Sequence, residues 1–427
     1  MQPRARTRAP TPTIRRRPTR EPCARHMKRR PLGGVLSDLE SQHLTRRRTT
    51  IDGFIEPGNR VVTTADGRML VDFSSNDYLG LAHHPAVAAA MSECALRTGA
   101  GSGASHLVTG HGIEHARLEE ELAAFVGRER ALLFSTGYMA NLGVMAALAG
   151  RGELVLLDRL SHASIIDGAL LSGARFKRYP HGDAAAAERM LNESPAEATV
   201  LATDGVFSMD GDVAPLQQLA KAAKARKAWL VVDDAHGIGV LGDTGRGSVE
   251  HCGVSTDDVP VLVGTLGKAL GSFGAFVAGS RDLIEFLIQK ARPYIYTTAL
   301  PQPVAAATRK ALEITQGEPW RRERVLALTA QFRKAARAAG IELLDSNTPI
   351  QPVVLGSSEA ALQAQQELLA AGFRVIAIRA PTVPRGSERL RVTLSAAHSE
   401  EQVDALVESL SQLEARQFRG SEVASDE

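Results

Sequence analysis

Short apolar runs rich in β-branched residues alternate along this chain with Ala-rich stretches of helical length, and no other feature restricts its folding as tightly. Ala131–Phe134, Leu154–Leu157, Thr199–Ala202, Trp229–Val232 and Pro260–Val263 read as strands, because each is a compact apolar block bounded by turn-forming residues. Strand and helix in alternation build an α/β layered domain with a mainly parallel sheet, since parallel neighbours need a crossover between them. Each run is followed within a few residues by Gly, Ser, Asp, His or Thr. Polar groups therefore gather at the carboxyl edge of the sheet, where open α/β sheets bind their ligands. After a long helical region, Val304–Gly340, the pattern changes to strand Gln351–Leu355, helix Glu359–Ala371, strands Arg374–Ile378 and Leu390–Thr393, and a last helix from Ser399. This predicts a smaller α+β domain. The expected layout is a basic tail over 1–33, a helix and arm over 34–90, a large domain over 91–315, a small domain over 316–415 and a polar tail over 416–427. Within the arm, the pattern predicts a short amphipathic helix over Leu36–Arg48 and an extended stretch through Asp52–Val71.

Composition removes several function classes. Apolar residues at 44% and charged residues at 23% are those of an ordinary globular chain, which excludes disordered and fibrous readings. Residues 1–33 hold 11 of the 50 Lys and Arg against one of the 48 Asp and Glu, so the body carries about eight more acids than bases. A body of that sign lacks the clustered basic face that phosphate backbones require, and no nucleic-acid partner is expected. The uncharged stretch Ala131–Gly150 has the length of a membrane span, but its Ser135, Thr136, Gly137, Asn141 and Gly143 fit a strand, a turn and a core-facing helix better, and no membrane partner is expected. Cys23, Cys94 and Cys252 are odd in number and widely spaced, giving neither a disulfide framework nor a zinc motif and pointing to a reducing cytoplasm. The Arg- and Pro-rich start has no apolar run that could drive folding. It is expected to be disordered, with Met27 as the true start; an organelle transit peptide is the weaker alternative.

Two strand ends carry the chemistry. Trp229-Leu-Val-Val-Asp233-Asp-Ala-His236-Gly237 places a carboxylate at the end of a buried strand, where it needs a cationic partner. Val261-Leu-Val-Gly-Thr265-Leu-Gly-Lys268-Ala-Leu-Gly271 runs the next strand into a glycine-bracketed turn holding one lysine. An amine beside so much apolar sequence is pushed toward its neutral, nucleophilic form. A structural ion pair would explain Asp233 alone, and a surface lysine would explain Lys268 alone. Together they supply what pyridoxal phosphate needs, a carboxylate for the pyridinium nitrogen and a lysine for the aldehyde.

At this point the chain resembles the α-oxoamine synthases, pyridoxal-phosphate enzymes of the aspartate aminotransferase fold (fold type I). Six motifs carry the likeness in order: Ser75-Asn-Asp-Tyr-Leu-Gly-Leu81, Gly101-Ser-Gly-Ala-Ser105, Asp158-Arg-Leu-Ser-His-Ala-Ser164, Asp204-Gly-Val-Phe-Ser-Met-Asp-Gly-Asp212, Asp233-Asp-Ala-His-Gly237 and Thr265-Leu-Gly-Lys268. The resemblance covers about Leu36 to Leu413 and implies a large domain with a mainly parallel seven-stranded sheet plus a smaller C-terminal α+β domain. It implies a decarboxylative condensation of an amino acid with an acyl thioester. L-Alanine and a pimeloyl thioester, carried on coenzyme A or acyl carrier protein, are the expected pair; family members using glycine or serine with other acyl chains are the rivals, and a non-catalytic partner subunit of this fold is a remote one.

The resemblance also assigns residues. Lys268 is expected to hold the cofactor's aldehyde and later move the Cα proton, Asp233 to keep the pyridine nitrogen protonated, His236 and Ser208 to reach the ring's phenolic oxygen, and His162 to stack on the ring. Backbone N–H groups of Gly137 and Tyr138 would hold the phosphate at a helix start. Thr265 would add a hydroxyl, and Thr297 would touch the phosphate of the partner subunit, making the enzyme a homodimer with shared sites. Asn76, Arg379 and Thr382 are expected at the substrate, with Ala380 standing where the family usually has proline. Arg46, in the cluster Arg46–Arg48, is expected either at the acyl-chain end or on a solvated face. The G-x-G in Gly99–Gly112 is not read as a dinucleotide loop, because no acidic residue follows a second strand at the required distance; the family places this loop at the dimer-facing edge of its site. No metal is expected.

Deleting residues 1–26 is expected to leave melting temperature and turnover unchanged, because the segment has too little apolar surface to offset the entropy of ordering it. A thermal-melt and rate comparison of the two chains checks this, and a drop in either would make the segment structural.

Overall fold

The computed structural model describes residues 32–54, 60–196 and 199–423, so most of the expected basic tail and the last four residues lie outside it. Residues 1–46 and 47–427 form two units. The first contains helix Leu32–Ser41, with no buried side chain. It stops well short of Arg48, because His43 takes a left-handed backbone conformation (φ 54°) that a continuing helix cannot accept. Arg46–Arg48 therefore do not extend that helix.

The second unit is organised by a seven-stranded sheet in the order Arg130–Phe134, Ala275–Gly279, Val261–Thr265, Trp229–Asp233, Thr199–Asp204, Leu154–Asp158, Arg175–Tyr179. Ala275–Gly279 runs antiparallel to both of its neighbours and the remaining pairings are parallel. The period-two alternation of each strand divides its side chains between two cores. Leu156, Leu201, Leu230, Val232, Leu262 and Phe276 join one, while Val155, Val200, Val231, Val261, Val263 and Val277 join the other. Helices cover both faces, which is why the strands read as nearly unbroken apolar runs. Two of the seven strands lie outside the five runs expected as strands. Arg175–Tyr179 is an edge strand with charged, exposed positions, and Ala275–Gly279 follows the lysine turn directly. Ala131–Gly150 folds as strand, turn and helix Gly137–Leu148, and among the described residues no helix is long and apolar enough to cross a membrane.

The expected helical region Val304–Gly340 is two helices, Gln302–Gly317 and Trp320–Ala338, divided at Pro319, which cannot donate to a continuing ladder. Beyond it, Ile350–Val354, Arg389–Thr393 and Ile376–Ile378 form an antiparallel three-stranded sheet in that order. The single strand expected over Arg374–Ile378 is split. Phe373–Arg374 pairs in parallel with Val71–Asp72 of the arm, and Ile376–Ile378 turns to the other sheet around the buried Val375. The arm strands Ile51–Phe54, Val61–Thr64 and Met69–Asp72 are antiparallel, so the extended stretch is a small sheet completed by the C-terminal region. The last helix, Glu400–Val423, continues through most of the segment expected as a tail.

The lysine turn is clamped against the arm. Gly271 has φ +58°, and a Cβ there would lie 2.3 Å from Ala82 N and 2.5 Å from Leu81 C. Gly271→Ala should therefore cost more than about 2 kcal/mol, since backbone strain and overpacking add and neither obstacle is a flexible side chain. Denaturant titration reads the loss; an unchanged midpoint would show that the turn relaxes freely.

Candidate active site

The strand ends bring three acids to one edge. Asp158, Asp204 and Asp233 are the last residues of their strands, and Asp204 and Asp233 are cross-strand partners in register. Asp233 is oriented by two donors: Asn141 Nδ2 to Oδ2 at 2.6 Å and Ala235 N–H to Oδ1 at 3.1 Å. Asn141 spends its other N–H on Ser164 Oγ at 2.9 Å, and that hydroxyl meets His162 Nδ1 at 2.7 Å. Burial, and then repulsion from Asp233, hold the Asp204 carboxyl well above the ordinary carboxylate range. Asp204 accepts the backbone N–H of His162 at 3.1 Å.

Lys268 enters this edge from the turn after Val261–Thr265. Its Nζ lies 2.8 Å from His236 Nε2, and His236 Nδ1 lies 2.6 Å from the hydroxyl of the buried Tyr78. Burial pulls the Lys268 ammonium down to about 8, with Asp233 opposing the fall. His236 is held well below its ordinary value, first by burial and then by the positive Lys268 and Arg391, so the ring is neutral. His162 caps helix Ala163–Ser172, its Nδ1 accepting the Ser164 N–H at 3.3 Å, and stands exposed at the cleft beside Tyr138. Loss of water lowers it too, with Asp233 opposing and Lys268 reinforcing.

Gly137 and Tyr138 open helix Gly137–Leu148. Thr136 serves as the cap, taking Met139 N–H on its hydroxyl at 3.2 Å and Ala140 N–H on its carbonyl at 3.0 Å. Thr265 Oγ1 donates to the Gly274 carbonyl at 3.1 Å and accepts Gly267 N–H at 3.3 Å, bracing the lysine turn. Ser208 sits in the loop after Asp204. That loop is held by His181, which bridges Asp158 and Asp212 at 3.0 Å each; against the pull of burial, these two carboxylates push the imidazole up to about 10.

The structure thus gathers Lys268, Asp233, His236, His162 and Asn76 into one connected cluster at the strand ends, with Gly137, Tyr138, Ser208 and Thr265 on the segments around it. Thr297 is half-buried beside the Ser105–Thr298 bridge. Arg379 and Thr382 lie in the loop after Ile376–Ile378, Thr382 N–H donating to the Arg379 carbonyl at 3.0 Å. Arg46 is exposed and belongs to the other unit.

Two participants escaped the sequence reading. Asn141 is the one amide in an otherwise apolar helix, a signal that a buried polar partner awaits it. Arg391 is only 7% exposed; its Nε donates to the Ser208 carbonyl at 2.6 Å and its Nη1 to Asn76 Oδ1 at 3.0 Å. Arg389 and Arg391, two apart on one strand, share a face, and Arg389 pairs with Asp210 of the same loop. An alternating pair of buried arginines was the available clue.

Residues 68–410 match the aminotransferase class I and II family. An 8-amino-7-oxononanoate synthase of Methylococcus capsulatus is 58% identical over 376 residues, covering 88% of this chain and 96% of the relative. One of Cellvibrio japonicus is 56% identical over 382 residues, covering 90% and 95%. Among solved structures, a serine palmitoyltransferase variant from S. paucimobilis with a bound PLP–myriocin aldimine superposes with a TM-score of 0.85 at 30% identity, covering 90% of this chain and 98% of that one.

The lowered basicity of Lys268 gives a direct expectation. An amine-selective reagent should label it with a midpoint near pH 8, whereas ordinary lysines follow at about 10.5. Peptide mapping across a pH series measures this, and a midpoint above 10 would mean the amine is solvated.

Proposed function

The chain belongs to the aminotransferase class I and II family, and from that premise we infer that it acts as an 8-amino-7-oxononanoate synthase, condensing L-alanine with a pimeloyl thioester and releasing carbon dioxide, a step of biotin synthesis. What carries the reading is 56–58% identity spread over about nine-tenths of the chain to relatives of that one activity. The assembled cleft supports an enzyme rather than a scaffold, since a scaffold has no use for a buried amine beside oriented carboxylates.

The donor set fits pyridoxal phosphate. Lys268 offers a weakly basic amine for the aldehyde, and Asp233 offers an oriented carboxylate for the pyridine nitrogen. At the helix start, Thr136 serves the N–H groups of Met139 and Ala140, which leaves those of Gly137 and Tyr138 to face an anion. A Cβ at Gly137 would meet nothing within 4 Å, so a phosphate has room to approach the backbone. When bound, the cofactor supplies the electron sink that lets the amino acid's Cα lose a proton and react as a carbon nucleophile. In this reading Lys268 moves that proton, because its amine lies in the cleft and burial pulls its basicity down to about 8, nearer to working pH than that of an ordinary lysine. With the cofactor bound, Asp233 would keep the pyridine nitrogen protonated, His162 would cover one face of the ring, His236 and Ser208 would serve the phenolic oxygen, and Thr265 would add a hydroxyl for the phosphate. Arg391 and Asn76, with Arg379 and Thr382 on the adjacent loop, receive the substrate carboxylates; a guanidinium donates in the geometry a carboxylate accepts.

We place a second copy of the chain against the cleft. Leu96, Leu107, Val108, Ile113 and Tyr296 are exposed large apolar residues, and a monomer in water leaves such surface uncovered at a cost. Thr297 would then reach the neighbouring copy's phosphate. Free Cys94 and Cys252 suit the cytoplasm.

A panel of alanine, glycine and serine against short, dicarboxylic and long acyl thioesters, read by thiol release and product mass, tests the assignment. L-Alanine with the pimeloyl thioester should be the fastest pair. Discrimination against glycine should be about tenfold to a few hundredfold, the worth of one methyl group in an apolar pocket. Glycine with an acetyl or succinyl thioester as the faster pair would replace the substrate assignment while leaving the family in place. Lys268→Ala should abolish turnover of every pair.

A further inference from the structure

Four polar side chains stand in series behind Lys268. Nζ is 2.8 Å from His236 Nε2, His236 Nδ1 is 2.6 Å from the Tyr78 hydroxyl, that hydroxyl is 3.3 Å from Asn76 Oδ1, and Asn76 Oδ1 receives Arg391 Nη1 at 3.0 Å. A guanidinium only donates, so the Asn76 amide is fixed with its oxygen toward Arg391. Burial pushes the Tyr78 phenol up to about 12, so it carries a proton, and that one proton faces two acceptors, His236 Nδ1 and Asn76 Oδ1. Distance decides between them. Hydrogen bonds donated by a hydroxyl centre on about 2.7–2.8 Å and run out by about 3.0 Å, while those donated by N–H centre on about 2.9–3.0 Å. A contact of 2.6 Å suits a phenol reaching a ring nitrogen. A contact of 3.3 Å is long for a phenol, and Asn76 Oδ1 is already satisfied by Arg391. The positive Arg391 nearby opposes the rise of the Tyr78 phenol, which polarises its O–H and makes it a better donor.

We propose that Tyr78 is a positioning residue that donates its hydroxyl proton to His236 Nδ1, fixing the imidazole as the Nε2–H tautomer and aiming that N–H at Lys268 Nζ. A ring N–H at 2.8 Å leaves the amine only its lone pair to offer, so the tautomer selects neutral Lys268, the form able to attack a carbonyl. It acts against the local charges. Asp233 and Asp204 face the amine from two neighbouring strands and favour its ammonium form, whereas Arg391 disfavours it, and His162 faces His236 from the helix beyond. Without the Tyr78 hydroxyl the ring proton is free to move to Nδ1, the Nε2 lone pair turns to Lys268, and the two acids win. The consequence for catalysis rests on the function proposed above; the hydrogen-bond pattern stands without it.

Long-range proton–nitrogen NMR of the cofactor-free full-length chain, labelled with 15N in its histidines, reads the tautomer, and a His236→Gln spectrum identifies the signals that belong to His236. His236 should show a protonated Nε2 and an unprotonated Nδ1, and the opposite pattern overturns the proposal. In Tyr78→Phe the pattern should shift toward Nδ1–H, and the midpoint for labelling Lys268 should rise by about one pH unit, a tenfold change in the ionisation constant. A folded Tyr78→Phe chain with the wild-type pattern overturns it as well. Asn76→Ala should keep the Nε2–H pattern; an Nδ1–H wild type that becomes Nε2–H in this variant would mean that the tyrosine proton lies on Asn76 in the intact chain. If Tyr78→Phe fails to fold, the wild-type and Asn76→Ala spectra still decide. An inactive substrate panel beside an Nε2–H spectrum would remove the proposed activity and leave the tautomer standing, and the reverse pair of results would remove the tautomer alone.

Discussion

Two carboxylates on adjacent strand ends are the constraint to which the rest of the cleft answers. Asp204 and Asp233 are in register across the sheet, both buried, and a pair of acids so placed cannot both ionise without compensation. Compensation comes from different directions. Asp204 takes the His162 backbone N–H, Asp233 takes Asn141 and the Ala235 N–H, and the amine of Lys268, which both acids draw toward its ammonium form, stands beside them. The seven-stranded order is what makes this possible, since Lys268 follows the strand paired with the one that ends in Asp233. The same desolvation that makes the acids costly lowers the basicity of the lysine. One physical condition, scarcity of water at the strand ends, sets both sides of the chemistry.

The sequence was a good guide wherever one strand dictates one consequence. An apolar block ending in Asp, and the next block ending in a glycine-bracketed lysine, were enough to place Asp233 and Lys268 together, because parallel neighbours in an α/β sheet put their carboxyl ends on one edge. It was a poor guide wherever a contact depends on two distant segments meeting. Arg391 looks like one charge among several until Arg389–Thr393 is laid beside the motif Ser75–Leu81, and Tyr78 looks like core until His236 is turned toward it. The split of Phe373–Ile378 between two sheets was hidden for the same reason, as a strand's own pattern does not name its partner. Helix ends set by a single backbone conformation, such as that at His43, leave no periodic trace either.

A second charged cluster holds the motif that carries Asn76 and Tyr78. Arg60 is buried and shared between Asp72 at 3.1 Å and Asp77 at 3.4 Å, and Asp77 also accepts Leu81 N–H at 2.8 Å and Ala82 N–H at 3.3 Å. Burial raises the Asp77 carboxyl and Arg60 opposes the rise. Burying an ion pair of this kind contributes little net stability, but it fixes direction, because each partner is costly to leave alone. The turn it fixes is the one against which Gly271 packs. The lysine turn and the tyrosine that reaches His236 are thereby referenced to the same short piece of backbone.

That the cleft is closed by residues 315 apart has a consequence for how the chain is made. Asn76 and the arm strands leave the ribosome early, whereas Phe373–Arg374, which completes their sheet, and Arg391, which satisfies Asn76, come close to the end. Loop closure over such a span is slow to be rewarded, and strand edges left waiting are open to other chains. Throughout most of its synthesis the N-terminal arm is therefore an unpaired sheet edge, and the interval before the last fifty or so residues emerge is when this protein is most exposed to aggregation.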